Sequence, residues 1–470
     1  MIYIKLKDAL FYDDAVVLVR SFYPRMDVKP YRDEQLEKED LLIEPFEPET
    51  QGRTKRDFHD DFKEHLYNKL KEQTGQELPW GYMTGVRPSK IVYTELEEGR
   101  TETEIIEEFL TKYQTSKVKA ELALNVAKKE KSLLNQIDYK NGYSLYIGIP
   151  FCPTICLYCS FSSYSLQTYA KYVDDYLDAL MKEMAYVAAS MKNRRLDTIY
   201  FGGGTPTTLS AEQLDRLLSR LESLFDVEHS IELTVEAGRP DSITLDKLQV
   251  LRNHHVDRIS INPQTMNQET LDLIGRRHSV EQIIDAFHLA RESGFDNINM
   301  DIILGLPGED MEAVHHTLEE IKTLHPESLT VHSLAIKRAA ALNIWREKYN
   351  DLQIENSAKI VEMAADYASS MSQEPYYMYR QKNMAGNFEN VGYSLPGKEC
   401  IYNILIMEEK QTIIACGAGA SSKIVFQPRD EQDAGRIERI ENVKDVRSYI
   451  DRVDEMIERK RSFFEENHMI

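Results

Sequence analysis

Short apolar runs alternate with amphipathic segments over almost two hundred residues in the middle of the chain. We predict six strands from this alternation, at residues 144–149, 198–201, 231–235, 258–262, 298–304 and 328–334. Among the intervening helices, residues 211–225 carry leucines at helical spacing, and Ser210 with Gln213 matches a capping box. Strands that alternate with such helices indicate βαβ units and a parallel sheet. The predicted fold class is therefore α/β, a partial (β/α)6 barrel that is open on one side.

The two ends of the chain follow other patterns. Residues 1–140 begin with a strand-like alternation and continue through an acidic stretch, 33–49, to helical runs at 55–75 and 102–137. We predict an N-terminal α+β domain, in which the acidic stretch is either a solvated face or a docking site. The barrel domain is assigned to residues 141–340. Residues 341–470 carry two helical segments around a strand-like region, which predicts a mostly helical C-terminal cap ending in a helix over about 443–463.

Composition and charge exclude several classes of protein. The chain has 78 acidic and 57 basic residues, a formal net charge of −21, and a hydrophobic fraction of 42%. This is the balance of a soluble globular protein, and its negative charge argues against nucleic acid as a partner. No apolar run reaches the ~18 residues of a membrane span, and the N-terminus lacks the pattern of a signal peptide. We therefore expect a cytoplasmic protein.

Three of the five cysteines, Cys152, Cys156 and Cys159, fall within eight residues directly after the first predicted barrel strand. This spacing lets one loop place three thiolates around an iron–sulfur cluster and leaves the fourth iron without a protein ligand. We predict a [4Fe-4S] cluster whose open iron is chelated by the amino and carboxylate groups of S-adenosylmethionine (SAM). An electron from the reduced cluster would cleave a carbon–sulfur bond of the sulfonium homolytically and give a 5′-deoxyadenosyl radical.

Two other interpretations of the cysteines compete with a cluster. A tetrahedral zinc site normally has four ligands, and no fourth Cys or His lies nearby, since the next cysteine is Cys400. Three buried structural thiols are the second alternative, but thiols clustered on a loop after a strand are accessible to redox chemistry. Cys400 and Cys416 are interpreted as small buried hydrophobic residues.

Polar residues mark the ends of the predicted strands, where parallel barrels place their ligands. The run 202–206 (Gly-Gly-Gly-Thr-Pro) follows the second strand, and residues without a β-carbon let the backbone approach a ligand closely. Glu236 ends the third strand, Gln264 the fourth, Arg276 lies one helix further on, and Asp301 sits inside the apolar fifth strand. Each alone is equally consistent with a barrel salt bridge. A carboxylate among apolar residues needs polar partners, which ribose hydroxyls would supply.

These motifs together resemble the oxygen-independent coproporphyrinogen III oxidase family of radical SAM enzymes. Residues 84–88, 379–383 and 417–420 make the chain most similar to the HemZ-like branch. The resemblance implies that the three clustered cysteines ligate the cluster. It also implies a set of cofactor-binding residues: Tyr146 and Tyr158 beside the cluster, Gly203, Gly204 and Thr205 at the methionine part of SAM, Glu236 at a polar group, Gln264 and Asp301 at the ribose hydroxyls, Arg276 at a carboxylate and Ala335 near the adenine.

The resemblance further implies a reaction: oxidative decarboxylation of two propionate side chains of coproporphyrinogen III to vinyl groups, giving protoporphyrinogen IX in heme biosynthesis. A monomer that receives electrons from a flavodoxin- or ferredoxin-type reductant is expected. Propionates are anionic, so candidate anchors are the cations at 337–338, Arg380 and Lys382, with surface solvation as the alternative for each.

One position departs from the family pattern. The oxidases carry a fourth cysteine two residues after the third, where this chain has Phe161. The heme-chaperone branch and branches that methylate or open heme also lack that cysteine. A heme-binding chaperone and a radical SAM methyltransferase acting on heme therefore remain alternatives.

Overall fold

The computed structural model describes residues 1–24, 26–32, 36–85, 87–160, 163–335, 354–381, 384–427 and 435–469. Within these ranges, no helix combines the length and the apolar character that crossing a bilayer requires.

The N-terminal region is a small α+β unit. Strands β1 (Ile2–Ile4), β2 (Val28–Pro30) and β3 (Leu41–Ile43) form a parallel sheet with β1 in the middle. The helices are α1 (Tyr12–Phe22), α2 (Lys55–Thr74), α3 (Pro88–Glu97), α4 (Glu102–Thr111) and α5 (Lys117–Leu134). The predicted helical run 102–137 is therefore two helices, separated by a turn in which Gln114 takes a φ of 55°.

The barrel region contains the six predicted strands, all parallel. They are β4 (Gly142–Ile149), β7 (Arg195–Gly203), β8 (Glu232–Gly238), β9 (Arg258–Ile261), β10 (Ile298–Leu304) and β11 (Ser328–Ser333), with a short pair β5 (Phe151–Cys152) and β6 (Tyr164–Ser165) after β4. The helices are α6 (Leu166–Tyr169), α7 (Val173–Ser190), α8 (Ala211–Leu224), α9 (Leu245–Asn253), α10 (Gln268–Leu273), α11 (Val280–Glu292) and α12 (Met311–Leu324). The capping box of Ser210 and Gln213 begins α8, as predicted.

The C-terminal region adds five strands to the same sheet. Strands β12 (Glu374–Tyr379) and β13 (Asn390–Ser394) extend it beyond β11, and β14 (Thr412–Cys416), β15 (Ser421–Phe426) and β16 (Arg436–Glu441) extend it beyond β4. The helices are α13 (Ala358–Ser370), α14 (Ile401–Glu408), α15 (Val446–Asp451) and α16 (Val453–Glu466), so the predicted final helix is interrupted at Arg452. The strand-like region between the helices is thus part of the barrel sheet, which ends in β12 and β16 and stays open.

A buried carboxylate on α7 attaches the C-terminal helices to the barrel. Glu183 is fully buried and forms a 2.7 Å ion pair with the equally buried Lys460 on α16. It also accepts hydrogen bonds from the Asn442 amide at 2.8 Å, the Tyr449 hydroxyl and the Gly417 backbone N–H. With four donors around it, this carboxylate is fully satisfied, which is what a buried charge needs.

A second buried carboxylate attaches the N-terminal unit. Glu389, just before β13, accepts a hydrogen bond from the Trp80 indole at 2.6 Å and pairs with Lys119 of α5. The Arg380 guanidinium stacks over the Trp80 ring, 5.1 Å from its centre, and donates to the Met83 carbonyl at 2.9 Å. Both ends of the chain are therefore docked through polar groups that are inaccessible to water.

We predict that replacing Lys460 with Met lowers the free energy of unfolding by about 3 to 5 kcal/mol, because the Glu183 carboxylate keeps its charge and loses its counter-ion. Urea denaturation followed by circular dichroism would measure this loss. The control is Arg459→Met, which removes an exposed ion pair with Glu455 and should cost less than about 1 kcal/mol. Equal effects of the two substitutions would contradict the prediction.

Candidate functional site

A cavity of about 330 Å³ lies where the parallel strands end and their loops begin. Twelve of the thirteen residues proposed from the sequence to bind the cluster or SAM line it: Cys152, Cys156, Tyr158, Cys159, Gly203, Gly204, Thr205, Glu236, Gln264, Arg276, Asp301 and Ala335. These residues are spread over 184 positions of sequence, and parallel pairing of the strands is what brings them together.

The cysteine loop and the glycine loop are hydrogen-bonded to each other. The Gly204 N–H donates to the Ile149 carbonyl and the Thr205 N–H to the Phe151 carbonyl, both at 2.7 Å. A β-carbon at Gly204 would lie 2.5 Å from the Phe151 carbonyl oxygen, so this approach requires glycine. Gly203 has a φ of 106°, which also favours glycine. The run of glycines therefore fixes the backbone that precedes Cys152.

Two donors face the cysteine sulfurs. The Thr205 hydroxyl lies 3.6 Å from Cys152 Sγ, and Arg239 Nη1 lies 3.9 Å from Cys156 Sγ. Burial raises the pKa of the Cys152 thiol to about 11 in the cofactor-free protein. Among the described residues, no three His, Cys, Asp or Glu side chains converge at the spacing of a single metal ion. The ligand spacing required by an iron–sulfur cluster is different, because each thiolate binds a different iron.

Two buried arginines flank the cysteine loop. Arg239 holds the Asp241 carboxylate through two bonds, of 3.0 and 2.7 Å, and donates to the Thr154 hydroxyl at 2.6 Å. Arg276 donates to the Asn262 carbonyl. Burial opposes its charge, yet interactions with Tyr158 and Cys156 raise the pKa of Arg276 above its usual value. Arg276 therefore places a buried positive charge beside the loop, which suits a cluster of anionic thiolates, while the charge of Arg239 is balanced by Asp241.

Gln264 lies three residues beyond the end of β9, in a strained conformation. Its φ is 69°, and its backbone pairs with β10 by accepting from the Ile303 N–H and donating to the Asp301 carbonyl. The side-chain oxygens of Gln264 and Asn262 and the Arg276 Nε are buried without a hydrogen-bond partner. All three line the cavity. Such unpaired groups are costly in an empty fold and fit a polar ligand that supplies their partners.

Asp301 and Glu236 are the two carboxylates that line the cavity. The Asn299 amide donates to Asp301 Oδ1 at 2.6 Å, and the Tyr200 hydroxyl donates to Glu236 Oε1, also at 2.6 Å. Burial raises the pKa of Glu236 to about 7, and the nearby Asp301 charge adds to this shift. For Asp301 burial acts in the same direction, but the nearby His332 imidazole and the hydrogen bond from Asn299 keep its pKa below the usual value. Glu236 is thus partly protonated near neutral pH, whereas Asp301 is ionised.

Tyr146 does not line the cavity. Its ring stacks with those of Tyr200 and Tyr402, at 6.3 Å from each, inside the barrel. A β-carbon at Gly203 would lie 3.2 Å from the Tyr146 hydroxyl, so the side chain lies behind the glycine loop.

Arg380 does not line the cavity either, and its interpretation as a propionate anchor is corrected by the structure. Its guanidinium is buried against Trp80 and donates to the Met83 and Asn387 carbonyls. Burial lowers the pKa of this arginine to about 10. Residues 337–338, Phe161 and Lys382 lie outside the described residues. Cys400 and Cys416 are buried and free, as interpreted from the sequence.

The cavity also contains residues that the sequence patterns did not indicate as ligands, among them Arg239, His332 and Asn262. Arg239 directly follows β8, His332 is one residue from the end of β11, and Asn262 directly follows β9. A systematic listing of polar residues at every strand end would have included them.

We predict that Glu236→Gln changes how the stability of the cofactor-free protein depends on pH. With a folded pKa near 7 and an unfolded pKa near 4.5, Glu236 destabilises the fold progressively as pH rises through that window. The variant should therefore gain about 1 to 3 kcal/mol over the parent between pH 5 and pH 8. Urea unfolding at each pH measures this gain, and a constant difference between the two proteins would refute it.

Comparison with known proteins identifies relatives of this chain. The model of the Radical SAM superfamily matches residues 146–321. The oxygen-independent coproporphyrinogen-III oxidase-like protein HemZ of Bacillus subtilis is 43% identical, over 85% of this chain and 79% of the relative. The heme chaperone HemW of B. subtilis is 33% identical, over 66% of this chain and 76% of the relative.

A solved structure agrees with these relatives. Coproporphyrinogen III oxidase (HemN) from Escherichia coli, a radical SAM enzyme, superimposes with a TM-score of 0.54 at 25% identity and covers 70% of this chain and 73% of that one. Radical SAM proteins use a [4Fe-4S] cluster and S-adenosylmethionine, and the cysteines, arginines and unpaired polar groups of the cavity fit both. The chain belongs to the radical SAM oxygen-independent coproporphyrinogen III oxidase family, in its HemZ-like branch.

Proposed function

We propose that this protein oxidatively decarboxylates two propionate side chains of coproporphyrinogen III to vinyl groups, without oxygen. The observation that carries the proposal is the cavity, in which three cysteines and a set of unpaired polar groups meet at one edge of the parallel sheet. The similarity to HemZ over most of both chains supports the choice of substrate.

In this proposal Cys152, Cys156 and Cys159 hold the cluster, and the polar residues at the strand ends hold SAM. The glycine loop and Thr205 contact its methionine part, and Glu236 binds a polar group. Gln264 and Asp301 receive the ribose hydroxyls, Arg276 binds a carboxylate, Ala335 lies beside the adenine, and Tyr158 lies beside the cluster. When bound, the two cofactors supply a 5′-deoxyadenosyl radical that abstracts a hydrogen atom from the substrate.

Balancing the atoms and electrons of the reaction shows that an electron acceptor and an electron donor are also required. Each propionate loses one hydrogen atom from its β-carbon to the radical, giving 5′-deoxyadenosine. Its carboxylate leaves as carbon dioxide, a carbon–carbon double bond forms, and one electron passes to an external acceptor. One electron per SAM must also enter from outside, which we assign to a flavodoxin- or ferredoxin-type donor. The protein is proposed to act in the cytoplasm as a monomer.

A heme-chaperone function is the second candidate, because of one departure in sequence. The family oxidases have a cysteine two residues after the third cluster ligand, and this chain has Phe161. The relative HemW, a heme chaperone, shares 33% identity over two thirds of this chain. Under this alternative the cluster and barrel persist, and the protein binds heme without forming vinyl groups.

We predict that Cys152→Ala, Cys156→Ala and Cys159→Ala each abolish the [4Fe-4S] cluster of anaerobically reconstituted protein. Each substitution removes one of only three ligands. Iron and sulfide analysis with electron paramagnetic resonance measures the cluster. Cys400→Ala is the matched control, because that thiol is buried and bonded to Glu232 at 3.2 Å, and it should keep the full iron content. A cluster retained in all three variants, or lost in the control, would disprove the ligand set.

The second prediction for the proposed function concerns the product. Anaerobic incubation of reconstituted protein with SAM, a reductant and coproporphyrinogen III should give protoporphyrinogen IX, which mass spectrometry detects as the loss of two carbon dioxide molecules and four hydrogen atoms. SAM cleavage without any vinyl product under several reductants would contradict the oxidase function. Stoichiometric heme binding in that case would favour the chaperone.

A further inference from the structure

A row of polar side chains from β10, β11 and β12 lies at the wall of the cavity, with β13 between β11 and β12 in the sheet. It begins at Thr330, whose hydroxyl donates to Asn299 Oδ1 at 3.0 Å, and the Asn299 amide donates to Asp301. His332 Nε2 lies 3.7 Å from Asp301 Oδ2, within ion-pair range, and His332 Nδ1 lies 3.3 Å from the Tyr379 hydroxyl. Asp301, His332 and Tyr379 all line the cavity.

The sheet register explains why these groups meet. Strands β10 and β11 are parallel, with Asp301 opposite Thr330 and Ile303 opposite His332. The side chains of Asp301 and His332 are therefore diagonal neighbours on one face of the sheet, within reach of each other. Tyr379 is the last residue of β12, and its ring stacks on that of Tyr377 with an angle of 11° between the planes. A stacked ring holds its hydroxyl in a defined place beside the imidazole.

Both ring nitrogens of His332 face polar groups of the protein. Nε2 faces the Asp301 carboxylate at ion-pair distance, and Nδ1 faces the Tyr379 hydroxyl. Asp301 is in turn held from two sides, by Asn299 at one oxygen and His332 at the other. A carboxylate fixed in this way presents its remaining lone pairs in one direction, into the cavity.

We propose that His332, held by Tyr379, is a positioning residue that orients the Asp301 carboxylate toward the ribose hydroxyls of SAM. This proposal rests on the assignment of Asp301 to the ribose and extends it to a residue of the neighbouring strand. It does not depend on whether the tetrapyrrole is oxidised or carried, because the role concerns the cofactor alone. His332 thus acts through Asp301 and does not touch the reacting atoms.

The test measures equilibrium binding of SAM, and of an analogue that lacks the ribose hydroxyls, to anaerobically reconstituted protein. His332→Phe should raise the Kd for SAM about tenfold and leave the Kd for the analogue unchanged. His332→Gln, which keeps a side-chain donor, should recover part of the lost affinity. His316→Gln, at an exposed histidine on α12, is the control and should bind SAM as the parent does.

A double-mutant cycle separates positioning from a general structural effect. Asp301→Asn should weaken SAM binding on its own, and adding His332→Phe to it should cost little more, because the two residues act on one contact. Additive losses, or equal losses for SAM and the analogue, would overturn the proposal. So would an unchanged SAM affinity in Asp301→Asn, which removes its premise. Vinyl formation is not a readout, so failure of the oxidase function is recognised separately.

A third outcome would assign His332 to the substrate instead. If His332→Phe keeps the parent affinity for SAM and loses affinity for coproporphyrinogen III, the histidine is a carboxylate anchor and the positioning role is wrong. Should His332→Phe fail to hold its cluster, the comparison between His332→Gln and the parent carries the test. Equal affinity for SAM in those two proteins, combined with Tyr379→Phe having no effect, would also refute the proposal.

Discussion

Two backbone hydrogen bonds between the cysteine loop and the glycine loop are the constraint on which the site depends. They join Gly204 to Ile149 and Thr205 to Phe151, and they form only because no β-carbon stands between the two backbones. Parallel pairing of β4 with β7 brings the two loops to the same end of the sheet. Each later strand adds polar residues at that end, so the cavity is a consequence of strand direction combined with one close approach.

The cavity shows how a fold can carry polar groups that it does not itself satisfy. Glu183 and Glu389, which dock the ends of the chain, have partners on every side and are structural. Gln264, Asn262 and Arg276 each have a buried polar atom without a partner. A ligand that pairs with these atoms gains the free energy of the missing hydrogen bonds, since those bonds form only on binding.

The segments outside the barrel also contribute to the site indirectly. β13 lies beside β11 and β12 lies beside β13, and these two strands bring Asn390 and Tyr379 to the cavity wall. Arg380, adjacent to Tyr379 in sequence, faces the N-terminal unit and stacks on Trp80. Of these two adjacent residues, Tyr379 therefore lines the cavity and Arg380 packs at the interface with the N-terminal unit. β12 ends at Tyr379, and the chain leaves the sheet at Arg380.

The amino-acid sequence alone predicts the six barrel strands, the helix begun by the Ser210 capping box, the three-cysteine loop and twelve of the residues that line the cavity. These features are predictable locally, because hydrophobic periodicity, helix capping and ligand spacing each depend on residues that are close together in the sequence. Tertiary structure decided that Arg380 is buried, that β12 to β16 join the barrel sheet, and that His332 meets Asp301. Those features depend on contacts between segments that are far apart in the sequence. The type of a residue, charged or apolar, does not specify which distant residue it will contact.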